Sequence, residues 1–373
     1  MKLYLPGLSA DLFIHDFDPK TAPDESWLSF FALSETIFRE FNPGSRLPDR
    51  EVTRRRLLAT NPLYTVKRNL VFDGGRNTVA FTHIAYDTEL SPSYEHDCHI
   101  GQIHIRVVAN WRRKRVATAL LNRLLDSAQE LNKDTIQIEA DNTAGKAFCR
   151  SLKGEMVHKE VQHRLYMEEA NQQTAAEWLS AGRKKFPDTQ FVLFRDCPDD
   201  IIDAFCRTYT EIINQRPTGE MEQTIVTLPE SRRIEEQNMK KRGIEWYTLI
   251  SRENNGEISG LTDIMFHPRE PHKLVQYFTG VSARHRRKGL AKRLKAEMLV
   301  VIKEHFPDVE YITTTMAPDN RPMQSINAQL GFKSRKSTHM YQWALPDLRY
   351  QVNERLRKPF RIRKTDGQRD CHG

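Results

Sequence analysis

The apolar positions of this chain change period several times, and each change marks an element. Alternation of apolar and polar residues predicts strands at "DLFIHDF" (11–17), "LYTVKRNLVF" and "TVAFTHIAY", the last two joined by the turn "DGGRN". Three- and four-residue spacing predicts helices over 25–41 and 49–60. "IGQIHIRVV" reads as a strand, followed by a basic turn and a helix to about 131. "DTIQIEA" is a strand, "NTAGKAFCRSLKG" a short helix with a glycine stop, and "MVHKEVQHRLYM" closing strand sequence.

The same order then recurs. "FVLFRDC" is a strand, and helices follow over 199–215 and 230–242. "EWYTLISRENNGEISGLTDIMF" folds as a hairpin about Asn-Asn-Gly, and "KLVQYFTGV" is the next strand. A basic turn, a helix to 305, the strand "VEYITTTM", the helix "DNRPMQSINAQLG" and the strand "KSTHMYQWAL" complete it. The two basic turns, "WRRKRVATAL" and "HRRKGLAKRL", align without a gap at an offset of 174 residues, with five of ten positions identical. The helices behind them carry apolar stripes, Val116, Leu120 and Leu124 in one, Leu290, Leu294, Met298 and Val301 in the other. These stripes are packing signals.

Strands alternating with helices predict a mixed α/β fold, and the repeat predicts two tandem domains. Their expected bounds are 1–186 and 187–345, with a basic C-terminal tail over 346–373. A chain of 373 residues is long enough for two cores. The net charge is +8, and half of that excess falls after residue 345, where "RLRKPFRIRK" holds six bases and no acid. Such a run fits a solvated tail or an anion-binding one. No apolar run approaches the roughly 20 residues of a membrane span, and the N-terminus lacks a secretory pattern. Five scattered cysteines predict reduced thiols, so a cytoplasmic protein is expected. His96, Cys98 and His99 lie close together, but no distant partner pair is evident and no metal site is expected.

The chemistry concentrates in the second basic turn. The first amides of a helix lack internal partners and face a positive dipole end, so they hold phosphate. Gly289 lets an anion approach the backbone, Arg286, Arg287 and Lys288 add charge, and Leu290 and Ala291 continue the helix. An apolar strand precedes the turn, another follows some twenty residues on, and an Asn-bearing helix ends in Leu-Gly-Phe.

With these surroundings the chain resembles the GNAT superfamily of acetyl-CoA-dependent N-acyltransferases. Its wording is similar to tandem GNAT proteins of the mycothiol-synthase type. The resemblance implies that Arg286, Arg287, Lys288, Gly289, Leu290 and Ala291 wrap the pyrophosphate of coenzyme A. It implies that Thr279, Gly280 and Val281 pair their main chain with pantetheine, and that Asn320, Met323 and Asn327 form the last motif of the site. The implied reaction is acetyl transfer from acetyl-CoA to a primary amine, expected to be that of a small molecule, by direct attack on the thioester.

The first copy departs from this pattern. Arg115 stands in place of Gly289, "IRV" (105–107) in place of "TGV", and Cys149 where the family often has its acidic tyrosine. The first domain is therefore expected to be degenerate, with the Arg115 side chain standing where phosphate would approach. In the second half that tyrosine position falls at Asn327, which has no proton to give. The catalytic acid and base stay unassigned: Tyr277, Tyr341 or water are candidate donors, and Asp263, His267 and Glu310 candidate bases. A second reading is a non-catalytic acyl-CoA-binding module with a nucleic-acid-binding tail. The chain lacks the aromatic-plus-basic signature of an RNA-reading sheet. Acceptor specificity is expected in the loops at 214–222 and 266–272.

Overall fold

The computed structural model describes residues 2–3, 11–216 and 225–358. Most of "RLRKPFRIRK", Cys371 and much of the 214–222 loop lie outside the described residues. Alternating patterns give β1 (Lys2–Leu3) and β2 (Leu12–Asp16), then helices α1 (Asp24–Phe41) and α2 (Arg50–Leu58). The hairpin β3 (Tyr64–Asp73) and β4 (Thr78–Asp87) follows, then α3 (Tyr94–Asp97), which carries His96, and β5 (Ile100–Val107). Next come α4 (Val116–Glu130), β6 (Thr135–Ala140), α5 (Thr143–Ser151), β7 (Glu155–Tyr166) and α6 (Gln172–Lys185).

The second half runs β8 (Gln190–Phe194), α7 (Ile202–Ile213), α8 (Pro229–Lys241), β9 (Glu245–Arg252), β10 (Ile258–Phe266) and β11 (Lys273–Val281). It continues with α9 (Leu290–His305), β12 (Tyr311–Met316), α10 (Arg321–Leu330), β13 (Lys333–Ala344) and α11 (Leu345–Arg357). Helix α6 has no counterpart in the sequence reading. Helix α11 occupies residues read there as the start of a tail.

All thirteen described strands form one sheet, in the order β1-β2-β3-β4-β5-β6-β13-β7-β12-β11-β10-β9-β8. The halves have exchanged their last strands. β7 leaves the first half and pairs antiparallel with β12, Tyr166 against Tyr311. β13 returns and pairs with β6, Tyr341 against Ile138. Packing explains why the exchange holds. Tyr341, Trp343, Leu345, Leu348 and Val352 are buried in one cluster with Leu121, Leu125 and Cys149 of the first half. The Trp343 indole N–H donates to Leu152 O at 2.9 Å, and a side chain at Gly154 would strike its ring. Helix α6 in turn packs on α9, where Arg293 donates to the carbonyls of Gly182 and Phe186 at 2.9 and 2.8 Å.

The halves also meet at loops. Asp49, the cap of α2, pairs with Arg269 at 3.0 Å, and Arg46 with Glu310 at 2.6 Å. These contacts tie the first half to the second beside the ends where β11 and β12 begin.

Candidate functional site

The site begins where two parallel strands part. β11 and β12 are paired only through residues 273–275 and 311–313. Beyond that, β11 continues to Val281 held by β10 alone. Alternate backbone groups of an antiparallel strand face away from its partner, so residues 276–281 present unpaired N–H and C=O groups to the split. Gly280 is required there for a packing reason: a Cβ would lie 2.0 Å from Ile212 of α7. Val281 is buried against the α9 core.

The strand feeds a short 3₁₀ turn, Ala283–His285, and then the basic turn. Arg287 and Gly289 both take left-handed backbone, φ 59° and 92°. Such alternation turns successive amides into one concavity, which suits an anion. Helix α9 starts at Leu290 with no side-chain cap, so its first amides are open. Among the described residues a Cβ at Gly289 would meet nothing within 4 Å, which leaves the approach clear of them. Arg286, Arg287 and Lys288 are exposed around it, and the Arg286 guanidinium donates to Gln215 Oε1. Leu290 is a core residue.

A cavity of about 210 Å³ occupies the split, with Tyr277, Thr279, Lys295, Met316, Asn320 and Met323 on its walls. The Asn320 side chain caps α10 by accepting from Met323 N at 3.3 Å. Asn327 is buried, its Nδ2 against Met316 Sδ at 3.8 Å and its Oδ1 without a partner among the described residues. His158 and Glu160 of β7 line the same cavity, 3.5 Å apart. They belong to the first half in sequence and reach this site through the strand exchange. The hydrogen bond from His158 keeps the Glu160 carboxyl below its ordinary range, ahead of the opposing effect of burial. The Tyr277 side chain is half exposed, and desolvation by its neighbours raises the phenol above its ordinary value, so it stays protonated at neutral pH.

The other candidates lie elsewhere. Tyr341 is in the first half's core. Asp263 is fully buried in register with Phe278, accepting from Thr248 Oγ1 at 2.6 Å, and burial raises it to about 6. His267 and Glu310 are held in contacts at the ends of their strands, with Arg242 O and Arg46.

The first half repeats the geometry. β5 and β6 pair only through 100–103 and 135–138. Arg113 and Arg115 take φ 62° each, the counterparts of Arg287 and Gly289. A cleft of about 800 Å³ opens there, lined by Arg112, Arg113, Arg115, Arg355 and Lys358 among apolar residues. The expected blockage by Arg115 is not seen. Its guanidinium turns to the C-terminal end of α11, donating to Lys358 O at 2.5 Å and Leu356 O at 3.4 Å. In place of Gly280 stands Arg106, paired with Asp141 at 2.7 Å.

One sheet split at two places, each split beside a left-handed basic turn that opens a helix, is a fold shared with solved tandem GNAT structures. A tandem GNAT protein from the clavulanic acid biosynthesis pathway, solved without acetyl-CoA, superposes with a TM-score of 0.71 at 18% identity over 90% of this chain and 98% of that one. A GCN5-related N-acetyltransferase from Sphaerobacter thermophilus gives 0.63 at 13%, over 92% and 97%. At the level of sequence, L-2,4-diaminobutyric acid acetyltransferase of Virgibacillus pantothenticus is 34% identical over 77 residues, 21% of this chain and 47% of that protein. The chain thus matches about half the length of that relative. No family model matches. Among the described residues no helix is long and apolar enough to cross a membrane.

Proposed function

We propose that the chain is an acyl-CoA-dependent N-acyltransferase whose working site lies in the second half, with acetyl-CoA as donor and a small-molecule primary amine as acceptor. The observation that supports this best is one juxtaposition: the open left-handed turn at Gly289 beside the unpaired edge of β11. The turn suits a pyrophosphate, and the edge suits the amides of pantetheine, which add to it as a strand would.

In this reading the amides of 290–292 and the side chains of Arg286, Arg287 and Lys288 hold the diphosphate. Thr279, Gly280 and Val281 align pantetheine, and a β11 N–H polarises the thioester carbonyl. Asn320, Met323 and Asn327 shape the mouth and floor. The amine nitrogen attacks the carbonyl carbon, an N–C bond forms, and the C–S bond breaks. His158 takes the proton from nitrogen, and the ionised Glu160 beside it stabilises the resulting imidazolium. The Tyr277 hydroxyl returns a proton to the departing sulfur. Free-thiol release from acetyl-CoA with a panel of small amines tests the reading. Amine-dependent release supports it; tight coenzyme A binding with no release favours the non-catalytic binding module.

The first half supports a second, non-catalytic coenzyme A site. The specific observation is its open cleft with the same turn, and Arg115 directed to α11. Its strand carries no counterpart of Gly280, and Cys149 is buried, with its thiol raised to about 12 by burial.

A further inference from the structure

Lys295 is the least expected residue of the second-half cavity. It lies in the first turns of α9 and is 2% exposed, yet it lines the split between β11 and β12. Its ammonium has three donors. The contacts found are one hydrogen bond, to Gln276 Oε1 at 2.6 Å, and the face of Phe332 at 5.4 Å. Gln276 is spoken for in turn, its Nε2 donating to Thr262 Oγ1 at 3.1 Å. Among the described residues no acidic side chain offsets the burial of Lys295, which lowers its pKa. A buried cation without a counter-ion is costly. The fold does not require it, because the aligned position of the first half, 174 residues earlier, is Leu121, packed in an apolar cluster.

We propose that Lys295 reads the acyl group of the donor, and that the preferred donor carries a carboxylate at the far end of its acyl chain. This rests on the acyl-CoA reading of the same cavity and sharpens its donor. A thioester aligned on the free edge of β11 directs its acyl chain into the split, where Lys295 is the buried cation. A terminal carboxylate would accept the donors that Gln276 leaves unused and would supply the missing counter-charge. An acetyl group ends in a methyl and offers neither.

The test is calorimetric titration of wild type and of Lys295→Leu with acetyl-CoA, malonyl-CoA and succinyl-CoA. A site in the first half is common to both proteins and cancels in the comparison. The leucine variant places at 295 the residue that the first copy already uses, so it is expected to fold. In wild type one of the two carboxylated donors should bind at least about tenfold tighter than acetyl-CoA, as expected for a charge-assisted hydrogen bond. In Lys295→Leu that preference should vanish while acetyl-CoA affinity is kept. Equal binding of all three donors to wild type overturns this inference and leaves the acyl-CoA reading standing. A preference that survives in the variant also overturns it. If no thioester binds wild type, the acyl-CoA reading itself fails, and this inference with it.

Discussion

Gly289 and Arg115, 174 residues apart, hold one backbone conformation: φ 92°, ψ 3° at the glycine and φ 62°, ψ 6° at the arginine. The turn is therefore a property of the fold, and glycine is one way of filling it. Arginine accepts left-handed strain of about 1 kcal/mol. Its contacts with the carbonyls of Leu356 and Lys358 offset that by about 1 kcal/mol each at most. Arg115→Gly is thus expected to change stability by less than about 1 kcal/mol in denaturant titration. Gly289→Ala, where a Cβ meets nothing but φ is unfavourable, should cost about 1 kcal/mol. A loss above about 3 kcal/mol in Arg115→Gly would mean that the arginine anchors α11 far more strongly than its bonds to the Leu356 and Lys358 carbonyls imply.

Lys295 should make the protein less stable at neutral pH than an apolar residue would. Burial brings its pKa down to about 7. The unfolded chain binds the proton more tightly, so the cost is fully present below about pH 7 and fades as pH rises towards the ordinary lysine value. Lys295→Leu is expected to raise stability by a few kcal/mol at pH 6–7, on the order of the linkage cost of that shift. The gain should shrink steadily towards pH 10. Thermal melts of both proteins across that range check the sign. A gain independent of pH would place the effect in packing instead of charge.

His158→Gln should lower turnover about a hundredfold, the low end for loss of a general base, with coenzyme A affinity unchanged. Tyr277→Phe should lower turnover while leaving the acidic limb of the pH profile in place. Binding that falls together with turnover in His158→Gln would give the residue a structural part only.

The exchange of β7 and β13 predicts that neither half folds alone when the chain is cut near residue 186. Residues 1–186 lose Tyr341, Trp343 and α11 from their core, and residues 187–373 lose the strand that pairs with β12. Each fragment expressed separately should show no cooperative melt. Co-expressed, they should form a stable complex. Two independently folded fragments would contradict the role given to the exchange.

Local patterns carried the sequence reading a long way. The hairpins, the parallel strands, the helices behind the two basic turns and the turns themselves follow from period and turn chemistry. Besides helix α6, three features did not follow. The strand exchange depends on which of two similar edges each strand meets, and β7 and β13 have no local feature that decides it. Helix α11 was hidden by its charge, although Leu345, Leu348 and Val352 carry a helical stripe that is buried on α4. His158 and Glu160 could not be assigned to a site whose other residues lie more than a hundred positions later. Lys295 did leave a signal: aligning the two copies sets it against Leu121, a charge where the fold uses an apolar side chain.

The central claim is that the turn at Gly289 holds the diphosphate of an acyl-CoA. Calorimetric titration with coenzyme A, on wild type and on Gly289→Glu, tests it most directly. The carboxylate of the variant would stand at the open approach to the α9 amides, opposing the anion. Wild type is predicted to bind about two equivalents, from the two open turns. Gly289→Glu, with an unchanged far-ultraviolet spectrum, should lose one of them by at least about a hundredfold in affinity while the other persists. Full stoichiometry and unchanged affinity in the folded variant would contradict the claim.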